Sequence, residues 1–160
     1  MRCHLAVTAV QEHACMTLLN LAANDDNRDK ISSAGGIEMV LAAMRGHLAA
    51  AIVQEKACWA LCYLADNEDN KITIASAGGM GMVLSAMRGH PAAKACWTLW
   101  SLAVNNDNKV KVASAGGIEM VLAAMGDHPA VAAVQEKACW ALLPITTKRS
   151  RLRQLGALGW

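Results

Sequence analysis

Polar and apolar positions fall into blocks that return along the chain. A run of asparagine and acidic residues, NDDN from Asn24, NEDN from Asn67 or NNDN from Asn105, precedes a short mixed stretch such as KITIASA, a pair of glycines and two longer apolar stretches. The Asn and Asp side chains suit a helix start, and the glycine pair suits its end. A second helix is predicted over Ile37–Arg45, stopping near Gly46-His47, and a third, the longest, from about Val53 to Ala65. On a helical wheel Val53, Ala57, Ala60, Leu61 and Leu64 share an arc of roughly 100°, the width of a core-facing stripe. Glu55, Trp59, Cys62 and Tyr63 lie away from it.

The blocks are copies of one another. Ala34-Gly35-Gly36 recurs as Ala77-Gly78-Gly79 and Ala115-Gly116-Gly117, at steps of 43 and 38. VQEKACWAL occurs from Val53 and again from Val134, with VQEHACMTL from Val10 and KACWTL from Lys94. Eleven positions separate His47 from Cys58 and His128 from Cys139 but only six separate His90 from Cys96, so five residues are missing at one place. The resulting organisation is an incomplete first repeat over 1–25, full repeats over 26–67, 68–105 (shortened before its third helix) and 106–143, and a non-repeat tail over 144–160. Matching Met1–Ala6 to Met44–Ala49 leaves the first repeat only the end of its second helix and its third. One permitted reverse translation of Thr146–Trp160, shifted by two bases, encodes NKAITIASAGGIGM, close to Asn70–Met82, so the tail is expected to be a repeat displaced in frame. A single triplet of helices cannot bury its apolar stripe alone, whereas stacked copies share a continuous core.

Composition narrows the class. Of 160 residues 54% are hydrophobic, supplied by Ala, Val, Leu and Met, with no Phe, one Tyr and three Pro. That is a helical vocabulary with ample core material, and it argues against both a β-sandwich and disorder. No apolar run approaches the roughly 18 residues of a membrane span. Six cysteines without a C-x-x-C pair fit reduced thiols, so a cytoplasmic or nuclear protein is expected. The formal charge of +2 divides unevenly, because Lys148, Arg149, Arg151 and Arg153 crowd the tail and leave the body mildly acidic. A nucleic-acid ligand would have only that tail to grip.

Candidate chemistry is sparse. Cys15, Cys58, Cys96 and Cys139 are repeat-equivalent and so about 10 Å apart by helix packing, too far to share a metal. Cys58 and Cys62, four apart on one helix, lack a second pair to complete a zinc site. His4, His47, His90 and His128 recur at the bend before each third helix, which points to a structural role there. The Asn/Asp turns lack the central Gly and closing Glu of a calcium loop, and the glycine pairs lack the Lys and hydroxyl of a phosphate loop. No metal, cofactor or catalytic set is expected, and an enzyme is not.

A period near 42, Ala-Gly-Gly-Ile between the first two helices and VQEKACWALCYLA as the third resemble armadillo repeats of the importin alpha and beta-catenin kind, over roughly residues 1–143. The resemblance implies an all-α, right-handed α-solenoid of three-helix repeats whose third helices line a concave groove for a peptide or partner protein. In importin-like members a groove Trp, with an Asn four residues later, shapes side-chain pockets and pairs with the ligand backbone. The Trp positions fall here on Trp59, Trp97 and Trp140, with Met16 in the first copy. The Asn positions fall on Asn20, Tyr63, Ser101 and Pro144, so three of the four amides are absent and the grip on a peptide backbone is reduced. The ligand-binding set expected on this face is Trp59, Trp97, Trp100, Trp140, Asn20, Tyr63, Ser101, Glu55 and Glu136. A second expectation, of a different class, is a structural segment of a longer array whose open ends associate head to tail.

Overall fold

The computed structural model describes residues 6–89 and 93–146. These form ten helices and no strand: α1 (Thr8–Ala22), α2 (Asp25–Ser33), α3 (Gly36–Gly46), α4 (Ala51–Leu64), α5 (Glu68–Ser76), α6 (Gly79–Gly89), α7 (Ala93–Ala103), α8 (Asn106–Ser114), α9 (Gly117–Asp127) and α10 (Ala132–Thr146). The all-α expectation holds among these residues, and α1, α4, α7 and α10 carry the stretches read in the sequence as third helices. His4, His90, the basic cluster at Lys148–Arg153 and the displaced-repeat reading of the tail lie outside the described residues.

Local chemistry sets the helix boundaries. Asn24 and Asn67 accept a hydrogen bond from the backbone N–H three residues on, and Asn105 from those of Asp107 and Asn108, which caps α2, α5 and α8. The two glycines that follow have different jobs. The first, Gly35, Gly78 or Gly116, holds φ between 74° and 81°, a left-handed conformation costly for any residue with a Cβ. The second is forced by proximity. A Cβ on Gly79 would stand 2.5 Å from Ile74 Cγ2 and 2.7 Å from Ile74 O, and Gly36 and Gly117 are equally confined by Ile31 and Val112.

A glutamine ties each second helix to the third. Gln54 Nε2 donates to Met44 O at 2.8 Å and His47 O at 2.9 Å, and Gln135 Nε2 does the same to Met125 O and His128 O at 2.8 and 3.0 Å. At the first bend these carbonyls also accept from the backbone, Met44 O from His47 N–H at 3.3 Å and His47 O from Ala50 N–H at 3.0 Å, so the glutamine adds a second bond to each. His47, buried at this bend, places Nδ1 3.2 Å from Ala43 O, in keeping with the structural role expected of it. The five missing residues remove the glutamine from the copy that contains α7.

Copies pack side by side. The helix α1 lies against α4, α4 against α7 and α7 against α10, while α3 neighbours α6 and α6 neighbours α9. One apolar cluster runs from Cys15 to Ile145 through Leu41, Leu61, Leu64, Ile74, Leu99 and Leu102. The predicted stripe of Val53, Ala57, Ala60, Leu61 and Leu64 is wholly buried. Polar links cross the joints as well: Asn67 Nδ2 donates to Asp29 Oδ1 at 2.9 Å, Asn105 Nδ2 to Glu68 Oε1, and Asn108 Nδ2 to Lys71 O at 3.3 Å.

The last helix, α10, continues through Pro144 to Thr146. Proline has no N–H to give the carbonyl four residues back, and its place in the last turn limits the loss to the helix end. Cys62, off the predicted stripe on the wheel, is also buried, because a third helix is flanked by neighbours on two sides and α7 covers what a one-stripe wheel leaves open.

Candidate functional site

The third-helix face carries a row of indoles interleaved with lysines. Each Trp follows a Lys by three residues, so both project from the same side of their helix. Stacking then sets Lys94 and Lys137 above the indole of the preceding copy as well as near their own. Lys94 Nζ lies 3.8 Å from the ring centre of Trp59 and 5.6 Å from that of Trp97. Lys137 Nζ lies 4.7 Å from Trp97 and 5.4 Å from Trp140, and Lys56 Nζ is 5.8 Å from Trp59. All are within cation–π reach, worth about 0.5–1 kcal/mol each where exposed and more where shielded from water. Glu55 and Glu136 flank the row and pair with Lys56 and Lys137 at 3.4 and 2.8 Å.

The row is interrupted at its first position, where Met16 replaces the indole. Between α1 and α4 this leaves a hollow of about 290 Å³ lined by Met16, Leu19, Asn20, Ala23, Lys56, Trp59 and Tyr63. Three of the predicted site residues, Asn20, Trp59 and Tyr63, meet there. Asn20 is exposed, Trp59 and Tyr63 are half-buried, and their rings stand 6.5 Å apart at 45°. The chemistry on offer is an aromatic wall, a methionine floor that adapts its shape, an amide that both donates and accepts, a phenol and one ammonium group.

The remaining predicted residues are dispersed. Trp97 is half-buried and lies between two lysines, and Trp140 is exposed. Trp100 is half-buried against the core and meets Trp140 edge-on at 5.6 Å. Ser101 is not on the surface at all. It is buried in the joint between α4 and α7, its hydroxyl 3.7 Å from Cys62 Sγ, because one helical turn places it on the neighbour-facing side with Thr98. The indoles are therefore neither sunk in the interior nor free, but partly covered by ammonium groups of the chain itself. The lysine three residues ahead of each Trp was the legible signal for this, although which indole it would cover depends on the stacking.

The repeat-equivalent cysteines form a second, inward row. Cys15, Cys58 and Cys96 are buried, whereas Cys139 in the last described copy is exposed. Burial pushes the Cys15 thiol up to about 11 and the Cys96 thiol up to about 12. Cys62 rises to about 11 by burial, partly offset by its contact with Ser101. Cys58 is raised further still, by burial and then by the neighbouring thiols Cys62, Cys96 and Cys15. Such thiols are poor nucleophiles and poor metal ligands. Among the described residues no group of three His, Cys, Asp or Glu side chains could hold a metal ion, and no helix is long and apolar enough to cross a membrane. Compared with protein-family models and with curated proteins, the chain matches none.

Proposed function

We propose that the chain is a segment of an armadillo-type, right-handed α-solenoid and serves as a non-catalytic module that binds a peptide or partner protein along a concave third-helix face. The observation that supports this reading most is the hollow between α1 and α4, where Asn20, Trp59 and Tyr63 converge with Met16 and Lys56. Its volume suits one medium-sized apolar side chain. Asn20 then faces the backbone of the inserted residue and Lys56 favours a carboxylate beside it, while the covered indoles farther along provide shallow apolar contact. Convergent aromatic and amide groups at a concave site are the usual anchors of such recognition.

A displayed library of random peptides selected on the full chain tests this reading. Enriched peptides should share one apolar position with an acidic neighbour, and Trp59→Ala should weaken their binding at least tenfold while the thermal midpoint stays within a few degrees. Failure to enrich any peptide, or enrichment indifferent to Trp59→Ala and Asn20→Ala alike, would overturn it.

A further inference from the structure

The lysines of the third-helix face differ in their counter-ions. Lys56 and Lys137 each follow a glutamate and pair with it, Lys56 with Glu55 at 3.4 Å and Lys137 with Glu136 at 2.8 Å. In the copy between them Ala93 stands where the glutamate would be. All 13 Asp and Glu side chains of the chain fall within the described residues, and none of them pairs with Lys94. Its ammonium group lies instead over one indole and beside another, 3.8 Å from the ring centre of Trp59 and 5.6 Å from that of Trp97. A ring face attracts the charge but is a weaker acceptor than a carboxylate, so Lys94 is a cation held on this face without a counter-ion among the described residues. On α1 the sign is reversed, since Glu12 is followed by His13 rather than by a lysine.

The same arrangement shuts out basic ligands. Trp59 already carries Lys94 over its ring and has Lys56 at 5.8 Å, so a cationic side chain brought to this indole meets two ammonium groups at a ring that is engaged. A carboxylate meets the opposite field. Reach agrees with charge: the hollow between α1 and α4 is walled by Trp59, and Lys94, which does not line it, stands on that ring. In an extended ligand, side chains two residues apart point the same way about 7 Å from each other. One apolar side chain in the hollow therefore brings the second one along into the neighbourhood of Lys94.

We infer that the segment bound on this face is acidic and that Lys94 selects it, through an ion pair with a carboxylate two positions from the apolar side chain held in the hollow. This rests on the reading of that hollow as a peptide site. Pairing draws the ammonium group off Trp59 and leaves the indole to the apolar atoms of the ligand. Ala93 is part of the same specificity, because a glutamate there, as in the copies on either side, would satisfy Lys94 from within the chain and compete with the ligand.

A displayed library of random peptides, selected in parallel on wild type and Lys94→Gln, tests this when the peptides enriched on wild type are then titrated by fluorescence anisotropy at low and high salt. Those peptides should carry Asp or Glu two positions from an apolar residue, and exchanging that acid for Lys should weaken binding at least tenfold. Lys94→Gln should enrich the apolar position alone, bind the wild-type peptides at least fivefold more weakly and lose part of their salt dependence. Ala93→Glu should weaken them to a similar degree with every lysine in place. It adds an acidic residue to the first turn of α7, where the helix dipole favours one, and so keeps the test open should Lys94→Gln fail to fold. Peptides enriched without an acidic position, or affinities within twofold of wild type for either folded variant while Trp59→Ala still abolishes binding, would overturn the inference and leave the hollow as the site. Enrichment of no peptide at all would remove the hollow as a site, and the inference with it.

Discussion

Each glycine pair combines two unrelated constraints, and substitution separates them. At Gly78 the cost of a methyl group is conformational, about 1–2 kcal/mol for holding a non-glycine residue in the left-handed region. At Gly79 the methyl would collide with a side chain and with a backbone oxygen that cannot move aside, an overpacking penalty that reaches about 3 kcal/mol. Urea unfolding should therefore rank Gly79→Ala below Gly78→Ala and both below wild type; equal midpoints would show that the helix reorients at no cost. The thiols give a second residue-scale prediction. With an aromatic disulfide reagent near pH 8, Cys139 should react at once, while Cys15, Cys58, Cys62 and Cys96 react only as fast as the chain opens. Immediate modification of Cys58 would contradict its burial. Both glycine positions were legible as a helix stop. Their division of labour was not, because the second depends on where Ile74 turns its branched side chain.

Helices are held to one another here by polar groups at their ends as much as by their apolar faces. Removing Gln54 takes two buried side-chain hydrogen bonds from carbonyls that keep only their backbone donors, so Gln54→Ala should cost about 1–2 kcal/mol. Gln135→Ala removes the same two bonds at a half-buried position, where water can replace them, and should cost visibly less. Denaturant midpoints of the two variants should differ in that order. Equal losses would mean that burial at the bend does not matter. The repeat of VQE marks this clamp in the sequence, but a glutamine in a helix looks like any solvated polar residue until its partners ten and seven positions back are known. Caps are more transparent, since Asn24, Asn67 and Asn105 act on their own helices and local spacing suffices to find them. Ser101 shows the opposite limit. It occupies the place of a groove amide by alignment, yet a small hydroxyl beside Thr98 favours a tight joint with α4, which only the neighbouring copy reveals.

Taken as a whole, the described chain is an all-helical stack of repeats with a row of buried thiols, and its stability should respond to alkali. A thiol raised in the folded state gives up its proton first in the unfolded chain, near 8.5. Its stabilising contribution is complete below that value and is lost as the pH climbs through the folded values of about 11 for Cys15 and Cys62 and about 12 for Cys96. Urea midpoints under reductant should fall between pH 8 and pH 10, more steeply for wild type than for Cys96→Ala. A flat profile would show that the thiols are hydrated. The all-helical class was legible because the apolar stripes keep a helical period throughout. The lysine-covered indoles were not, because they are a relation between neighbouring helices rather than a property of any one.

The missing glutamine has a mechanical meaning. Among α4, α7 and α10, only α7 belongs to a copy whose sequence lacks the glutamine, Ala92 standing at that place counted back from Cys96. Under a force applied at the two termini, the chain should therefore yield first between α6 and α7, in a short extension with the copies on either side still folded.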